Sequence, residues 1–121
     1  MTAVIAETGM PTSSAQYPSL RGRRVFITGG GSGIGACVVE AFVRQGSRVA
    51  FVDIAAEPSE RLVVSLRERG FDAPWFRLCD VSNVTALQAA ISDAATVLGD
   101  FDVLVNNVAS DDRHAIAEVT P

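Results

Sequence analysis

Residues 24–35 read Arg-Val-Phe-Ile-Thr-Gly-Gly-Gly-Ser-Gly-Ile-Gly, a short β-branched run that leads straight into a glycine cluster. Val25 to Thr28 have strand character, Gly29, Gly30 and Gly31 follow without a break, and apolar residues at Ile34, Val38, Ala41 and Phe42 then recur at helical spacing. The implied order is strand, turn, helix. Glycines let the main chain approach a ligand closely, and the free N–H groups and partial positive charge at the start of a helix favour an anion there. A pyrophosphate suits such a position. The spacing present is Gly29, Gly33 and Gly35; the pattern G-x-G-x-x-G would need glycine in place of Ile34 or Ser32. Taken alone, the turn can also be read as a tight strand-to-helix connection, the less favoured of the two.

A second segment, Arg48-Val-Ala-Phe-Val-Asp53, reads as another strand and ends in a carboxylate. In a strand–helix–strand unit this is where an acid holds the adenosine ribose of a dinucleotide, although an aspartate there can also cap a following turn. Both features within one unit of about thirty residues point to a dinucleotide site. A carboxylate accepts hydrogen bonds from a ribose 2′-hydroxyl and repels a 2′-phosphate, so NAD is the expected cofactor rather than NADP. Ile54 and Ala55 after the acid, and Gly30, Gly31 and Ser32 within the turn, supply no cation to reverse that preference.

Continuing along the chain, four strands (24–28, 48–53, 74–78 and 102–106) alternate with three helices (33–45, 59–69 and 84–98). The expected fold class is α/β: a right-handed, Rossmann-type doubly wound parallel sheet in the order 3-2-1-4. Residues 20–121 form its cofactor-binding part. The apolar fourth strand, Val103-Leu104-Val105, is expected to lie at an exposed edge unless another strand pairs with it. Residues 1–19, rich in Thr, Ser, Ala and Pro, are expected to be disordered or loosely attached. They have no basic start or long apolar run of a secretory signal, and Met10 is a candidate alternative start. Thr120-Pro121 resembles the cap and first residue of a further helix, so the chain is expected to stop short of a complete domain.

These residues resemble the short-chain dehydrogenase/reductase family, whose cofactor turn Thr-Gly-x-x-x-Gly-x-Gly is matched by Thr28, Gly29, Gly33 and Gly35. Asp80-Val81 resembles the family pair that contacts the adenine ring. Asn106-Asn107 resembles the start of the Asn-Asn-Ala-Gly segment beneath the cofactor, read otherwise as an ordinary turn after a strand. Val108-Ala109 departs from that segment, and Ala109 adds a methyl group on the nicotinamide side. The resemblance implies cofactor-binding roles for Gly29, Ser32, Gly33, Ile34, Gly35, Asp53, Ile54, Asp80, Val81 and Asn107, with Asn106 bracing the central strands. From Tyr17 onward the chain is similar to the NAD-dependent aldose 1-dehydrogenases of this family, such as those acting on D-xylose. Tyr-Pro-Ser-Leu-Arg-Gly-Arg-Arg, Asp-Ile-Ala and Asp111-Asp112-Arg113-His114 carry that similarity. The implied reaction is oxidation of a sugar at C1 to a lactone.

In that family a tyrosine and a lysine four residues later supply the base, with a serine and a further asparagine. Here the single tyrosine is Tyr17, and all ten basic residues are arginines. No catalytic residue is therefore expected in this stretch, which should not turn over alone. The competing reading is a non-catalytic nucleotide-binding module; an epimerase-type spacing, G-x-x-G-x-x-G, does not fit Ser32 and Gly33. His114 is open to reading as a base, a metal ligand or a plain polar loop residue, and Asp111 to Arg113 as a sugar site or a charged surface loop; no metal site is expected.

The formal net charge of −4 and the lack of a basic stripe argue against nucleic acid. Arg21, Arg23 and Arg24 form the one cluster, read as a solvated approach to the first strand. With 48% hydrophobic residues and mean hydropathy +0.26, no apolar run approaches the twenty residues a membrane span needs. Cys37 and Cys79 lack C-x-x-C spacing, which fits a reducing cytoplasm. The expected partners are a small-molecule sugar substrate and other copies of the complete protein.

Overall fold

The computed structural model describes residues 2–4, 20–31 and 33–107. In chain order the elements are β1 (Thr2–Val4), β2 (Arg24–Thr28), α1 (Gly33–Arg44), β3 (Arg48–Asp53), α2 (Ala56–Glu68), β4 (Trp75–Leu78), α3 (Val84–Leu98) and β5 (Val103–Asn106). The strands pair in parallel in the order β1-β5-β2-β3-β4. The four strands expected from the sequence therefore stand in the expected 3-2-1-4 arrangement.

Side-chain alternation assigns the two faces. Val25, Ile27, Val49, Phe51 and Val105 point to one side, where they pack with Val38, Val39 and Val43 of α1 and Leu66 of α2. Phe26, Ala50 and Val52 point to the other, against Ala90 and Ala94 of α3 and Phe101. Strands buried on both faces read as continuous apolar runs, which is why Val25-Phe26-Ile27 and Val49-Ala50-Phe51-Val52 carry no polar residue. Phe26 and Phe101 meet edge to face at 5.3 Å, and Phe51 lies 4.9 Å from Phe76. At the sheet's outer edge Arg77 extends over the Trp75 ring and bonds Asp93 of α3 at 2.7 Å.

Most boundaries agree with the sequence reading within one residue, and two features depart from it further. Helix α2 begins at Ala56, three residues earlier than expected, with Pro58 inside its first turn. The first four N–H groups of a helix have no partner within it, so proline there forfeits no bond. Its N-cap, Ala55, makes no side-chain cap bond, whereas Asn83 caps α3 by accepting from the Ala86 N–H at 3.0 Å. The second difference is β1. Residues 1–19 were expected to be loose, yet Thr2–Val4 pair with Val103–Val105 and cover the far side of β5, the edge expected to stand open. Residues 5–19 lie outside the described residues.

The start of the sheet is fixed by a clamp between β2 and the lead-in to β5. The Arg24 N–H donates to Asp102 Oδ2 at 2.9 Å, the Asp102 N–H donates to the Arg24 carbonyl at 2.8 Å, and the Arg24 guanidinium Nε approaches Oδ2 at 3.3 Å. At the opposite end, α1 starts hard against β2. A Cβ on Gly35 would land on the Gly29 carbonyl oxygen and lie 2.7 Å from Asn107 Nδ2. Gly29 itself turns the chain at φ +70°, a conformation that other residues rarely adopt.

Substituting Gly35→Ala is expected to destabilise the chain by about 2 kcal/mol, because overpacking of this kind costs roughly 1–3 kcal/mol and the obstructing atom is backbone. Urea denaturation would check this: the midpoint falls. The Arg24 N–H, followed by the Arg24 guanidinium, holds the Asp102 carboxyl below its ordinary range. A carboxylate depressed in the folded state stabilises above its unfolded value, and that contribution is lost as pH falls through the folded one. Asp102→Asn is therefore expected to lower Tm at pH 7, and the gap from the wild type should close as pH falls toward 3, as thermal melts across that range would report.

Candidate functional site

The winding of the sheet reverses between β2 and β5: β3 and β4 extend to one side of β2, β5 to the other. In open parallel sheets the crevice beyond the strand ends at such a reversal is where ligands bind. Here Thr28 and Asn106 stand side by side as the terminal residues of β2 and β5. The Thr28 hydroxyl donates to Asn106 Oδ1 at 3.0 Å and accepts from the Asn107 N–H at 3.1 Å. Asn106 braces the central strands, as the resemblance implied. Asn107 is buried, and its Nδ2 donates to the Gly29 carbonyl at 3.3 Å. That bond gives Asn107 a bracing contact on the turn itself, which the sequence reading did not foresee.

Within the turn, the N–H groups of Gly29 and Gly30 donate to the Val52 carbonyl at 2.8 and 3.3 Å. The loop is thereby tied to the end of β3. The N–H groups of Gly33, Ile34 and Gly35 open α1, and helix geometry leaves them without intrahelical acceptors. The outer side is open: a Cβ on Gly33, at φ +59°, would meet nothing, and Ile34 is half exposed. Backbone N–H groups at a helix start with open space beside them fit a phosphate. Ser32 lies outside the described residues.

Asp53 ends β3 with its carboxylate turned into the glycine loop. Oδ2 accepts from the Gly31 N–H at 2.8 Å and Oδ1 from the Ala55 N–H at 2.7 Å. An ionised carboxylate has about four acceptor directions, so two remain for a ligand's hydroxyl groups. Beside it Ile54 is 71% exposed, an apolar side chain facing outward at the rim of the crevice. The N–H of Cys79 donates to the Asp53 carbonyl at 3.0 Å, linking the end of β4 to this rim.

Asp80 and Val81 follow on the next turn. Asp80 Oδ1 accepts from the Ser82 hydroxyl at 2.7 Å and the Ser82 N–H at 3.0 Å, and those bonds, the hydroxyl first, hold its carboxyl below the usual range. Its carbonyl accepts from the Asn83 N–H, so Asp80 also shapes the approach to α3. Burial, followed by the nearby Asp80 charge, pushes the Cys79 thiol up. Cys37 stands exposed on α1, and both are free thiols.

Sequence reading missed Ser59, which is fully buried and donates to the Ala55 carbonyl at 2.6 Å. It takes the first place of the stripe Ser59, Leu62, Val63 and Leu66 that α2 turns to the core. A small polar residue at an otherwise apolar stripe position was the available signal. The other candidates, Val108-Ala109, Asp111 to His114 and Tyr17, lie outside the described residues. Among the described residues no group of three or more His, Cys, Asp or Glu could hold a metal, and no helix is long and apolar enough to cross a membrane.

Residues 23–121 match the short chain dehydrogenase family. The chain is 54% identical over 111 residues to a probable galactose dehydrogenase of Rhizobium meliloti, covering 92% of this chain and 43% of that protein. It is 50% identical over 108 residues to a D-xylose 1-dehydrogenase of Caulobacter vibrioides, covering 89% and 42%. Among solved structures, a short chain dehydrogenase from Mycobacterium smegmatis superposes with a TM-score of 0.71 at 27% identity, over 82% of this chain and 42% of that one. A hydroxysteroid dehydrogenase from Escherichia coli gives 0.70 at 32%, over 75% and 38%. The chain spans less than half the length of these relatives. Its motifs, its sheet order and this match agree: the chain belongs to the short-chain dehydrogenase family.

Proposed function

We propose that this chain is the cofactor-binding portion of an NAD(H)-dependent oxidoreductase that oxidises an aldose, such as D-xylose, at C1 to the lactone. The observation that carries the cofactor reading is the Asp53 carboxylate, turned into the glycine loop and bonded to the Gly31 N–H at 2.8 Å. Family members generally use NAD or NADP, and a fixed carboxylate at this point accepts from a 2′-hydroxyl while repelling a 2′-phosphate. The sugar reading rests on the relatives at 54% and 50% identity, named for galactose and D-xylose.

In this reading the backbone N–H groups at Ser32, Gly33, Ile34 and Gly35 hold the pyrophosphate, with Gly29 shaping the turn. Asp53 holds the adenosine ribose, and Ile54 covers it from the rim. Asp80 and Val81 flank the adenine, and Asn107, fixed on the Gly29 carbonyl, supports the second ribose. A bound nicotinamide would supply the acceptor for hydride from the sugar carbon. The residues here bind and orient; the Tyr/Lys pair that would move the proton is not among residues 1–121, since Tyr17 is the single tyrosine and lysine is absent. The chain alone is therefore proposed to be inactive, the complete protein to be a homo-oligomer, and its setting the cytoplasm.

Calorimetric titration of the 121-residue chain should show NAD binding more tightly than NADP. Asp53→Asn is expected to weaken NAD by about tenfold or more, since a hydrogen bond to a charged group contributes roughly 1.5–3 kcal/mol. Equal affinity for the two dinucleotides in the wild type would refute the NAD assignment. NADH formation from D-xylose or D-galactose by this chain alone would refute the proposed inactivity.

A further inference from the structure

We infer that Ser59, on α2 and outside the glycine motif, is a positioning residue that sets the preference for NAD over NADP by holding Asp53 against the turn. The inference rests on the dinucleotide reading above and extends it to a residue that touches no part of the cofactor. Ser59 is fully buried, and its Oγ donates to the Ala55 carbonyl at 2.6 Å. The N–H of that same Ala55 donates to Asp53 Oδ1 at 2.7 Å. Ser59 thereby fixes one of the two donors that orient the carboxylate.

The other donor depends on Ser59 through space. Oδ2 of Asp53 accepts from the Gly31 N–H at 2.8 Å, and Gly31 reaches that distance because it has no side chain. A Cβ there would land on Ser59 Oγ and lie 3.0 and 3.1 Å from Asp53 Cγ and Cβ. The serine hydroxyl is thus the surface on which Gly31 rests. Neighbouring positions in the same stripe carry Leu62, Val63 and Leu66, and any side chain of that size at 59 would lift Gly31 away from the carboxylate.

Discrimination between the two dinucleotides is a difference of affinities, and it requires the repelling charge to stay in place. A carboxylate held from both sides by backbone N–H groups cannot swing aside to admit a 2′-phosphate. Released from one side, it can rotate toward solvent, losing its bond to the 2′-hydroxyl and its repulsion of the phosphate together. Position 59 therefore acts on the ratio of the two affinities, whereas a purely structural residue would lower both alike.

The test measures dissociation constants for NAD and NADP by calorimetry on the 121-residue chain and its variants. Ser59→Val is expected to cut the NAD preference about tenfold, by weakening NAD while NADP, no longer repelled, binds somewhat more tightly. Gly31→Ala should do the same from the other side of the contact. Ser59→Ala alone should cut it about threefold, yet added to Gly31→Ala it should raise the preference again, because substitutions that share one space are coupled rather than additive. That reversal keeps the inference testable even where Ser59→Val fails to fold. Equal weakening of both dinucleotides by Ser59→Val, or no recovery in the double variant, would overturn the inference and leave the NAD reading standing. A wild-type chain that binds neither dinucleotide would overturn that reading, and the inference with it.

Discussion

The contact between the start of α1 and the end of β2 constrains everything that surrounds the crevice. Gly35 lies so near the Gly29 carbonyl that no side chain fits between them, and the Asn107 side-chain amide closes the gap by donating a hydrogen bond to that same carbonyl. Helix, turn and the end of β5 are consequently one rigid corner. The N–H groups that open the helix begin at that corner, and the Thr28–Asn106 bond ties the ends of the two strands beneath it.

Asp53 adds charge to that geometry without belonging to the corner. It ends the neighbouring strand, and parallel pairing of β2 with β3 brings its carboxylate level with the turn. The helix start is electropositive, the strand end electronegative, and the two stand on either side of Gly31. Such a pairing suits a ligand with an anionic centre next to a sugar bearing free hydroxyls. The same arrangement explains why the loop needs glycine at 31: the carboxylate and the buried serine hydroxyl already fill its surroundings.

How much of this was legible beforehand follows from the range of each interaction. The central strands could be read because β2, β3 and β5 each carry an uninterrupted apolar run, and the strand order followed from connection rules for parallel sheets. The glycine turn and Asp53 could be read because both lie on local sequence with a known chemical reason for their residue types. The start of α2 was misplaced because its N-cap is an alanine without a capping side chain and Pro58 sits in the first turn, so the usual signals are absent. The stripe of α2 marks Ser59 as a small polar residue on an apolar face, but its contact with Gly31, twenty-eight positions back along the chain, is not recorded in the local pattern. The pairing of Thr2–Val4 with β5 rests on backbone hydrogen bonds between distant segments, which composition does not reveal.

The two thiols occupy opposite environments, and their reactivity divides accordingly. Cys37 faces solvent on α1, whereas Cys79 is buried at the end of β4, with its thiolate disfavoured by desolvation. Because the thiolate is the reactive form, an alkylating dye attaches to the helix and leaves the strand untouched. Modification of the second cysteine then requires the outer edge of the sheet to open, so its rate serves as a built-in clock for local unfolding beside the crevice.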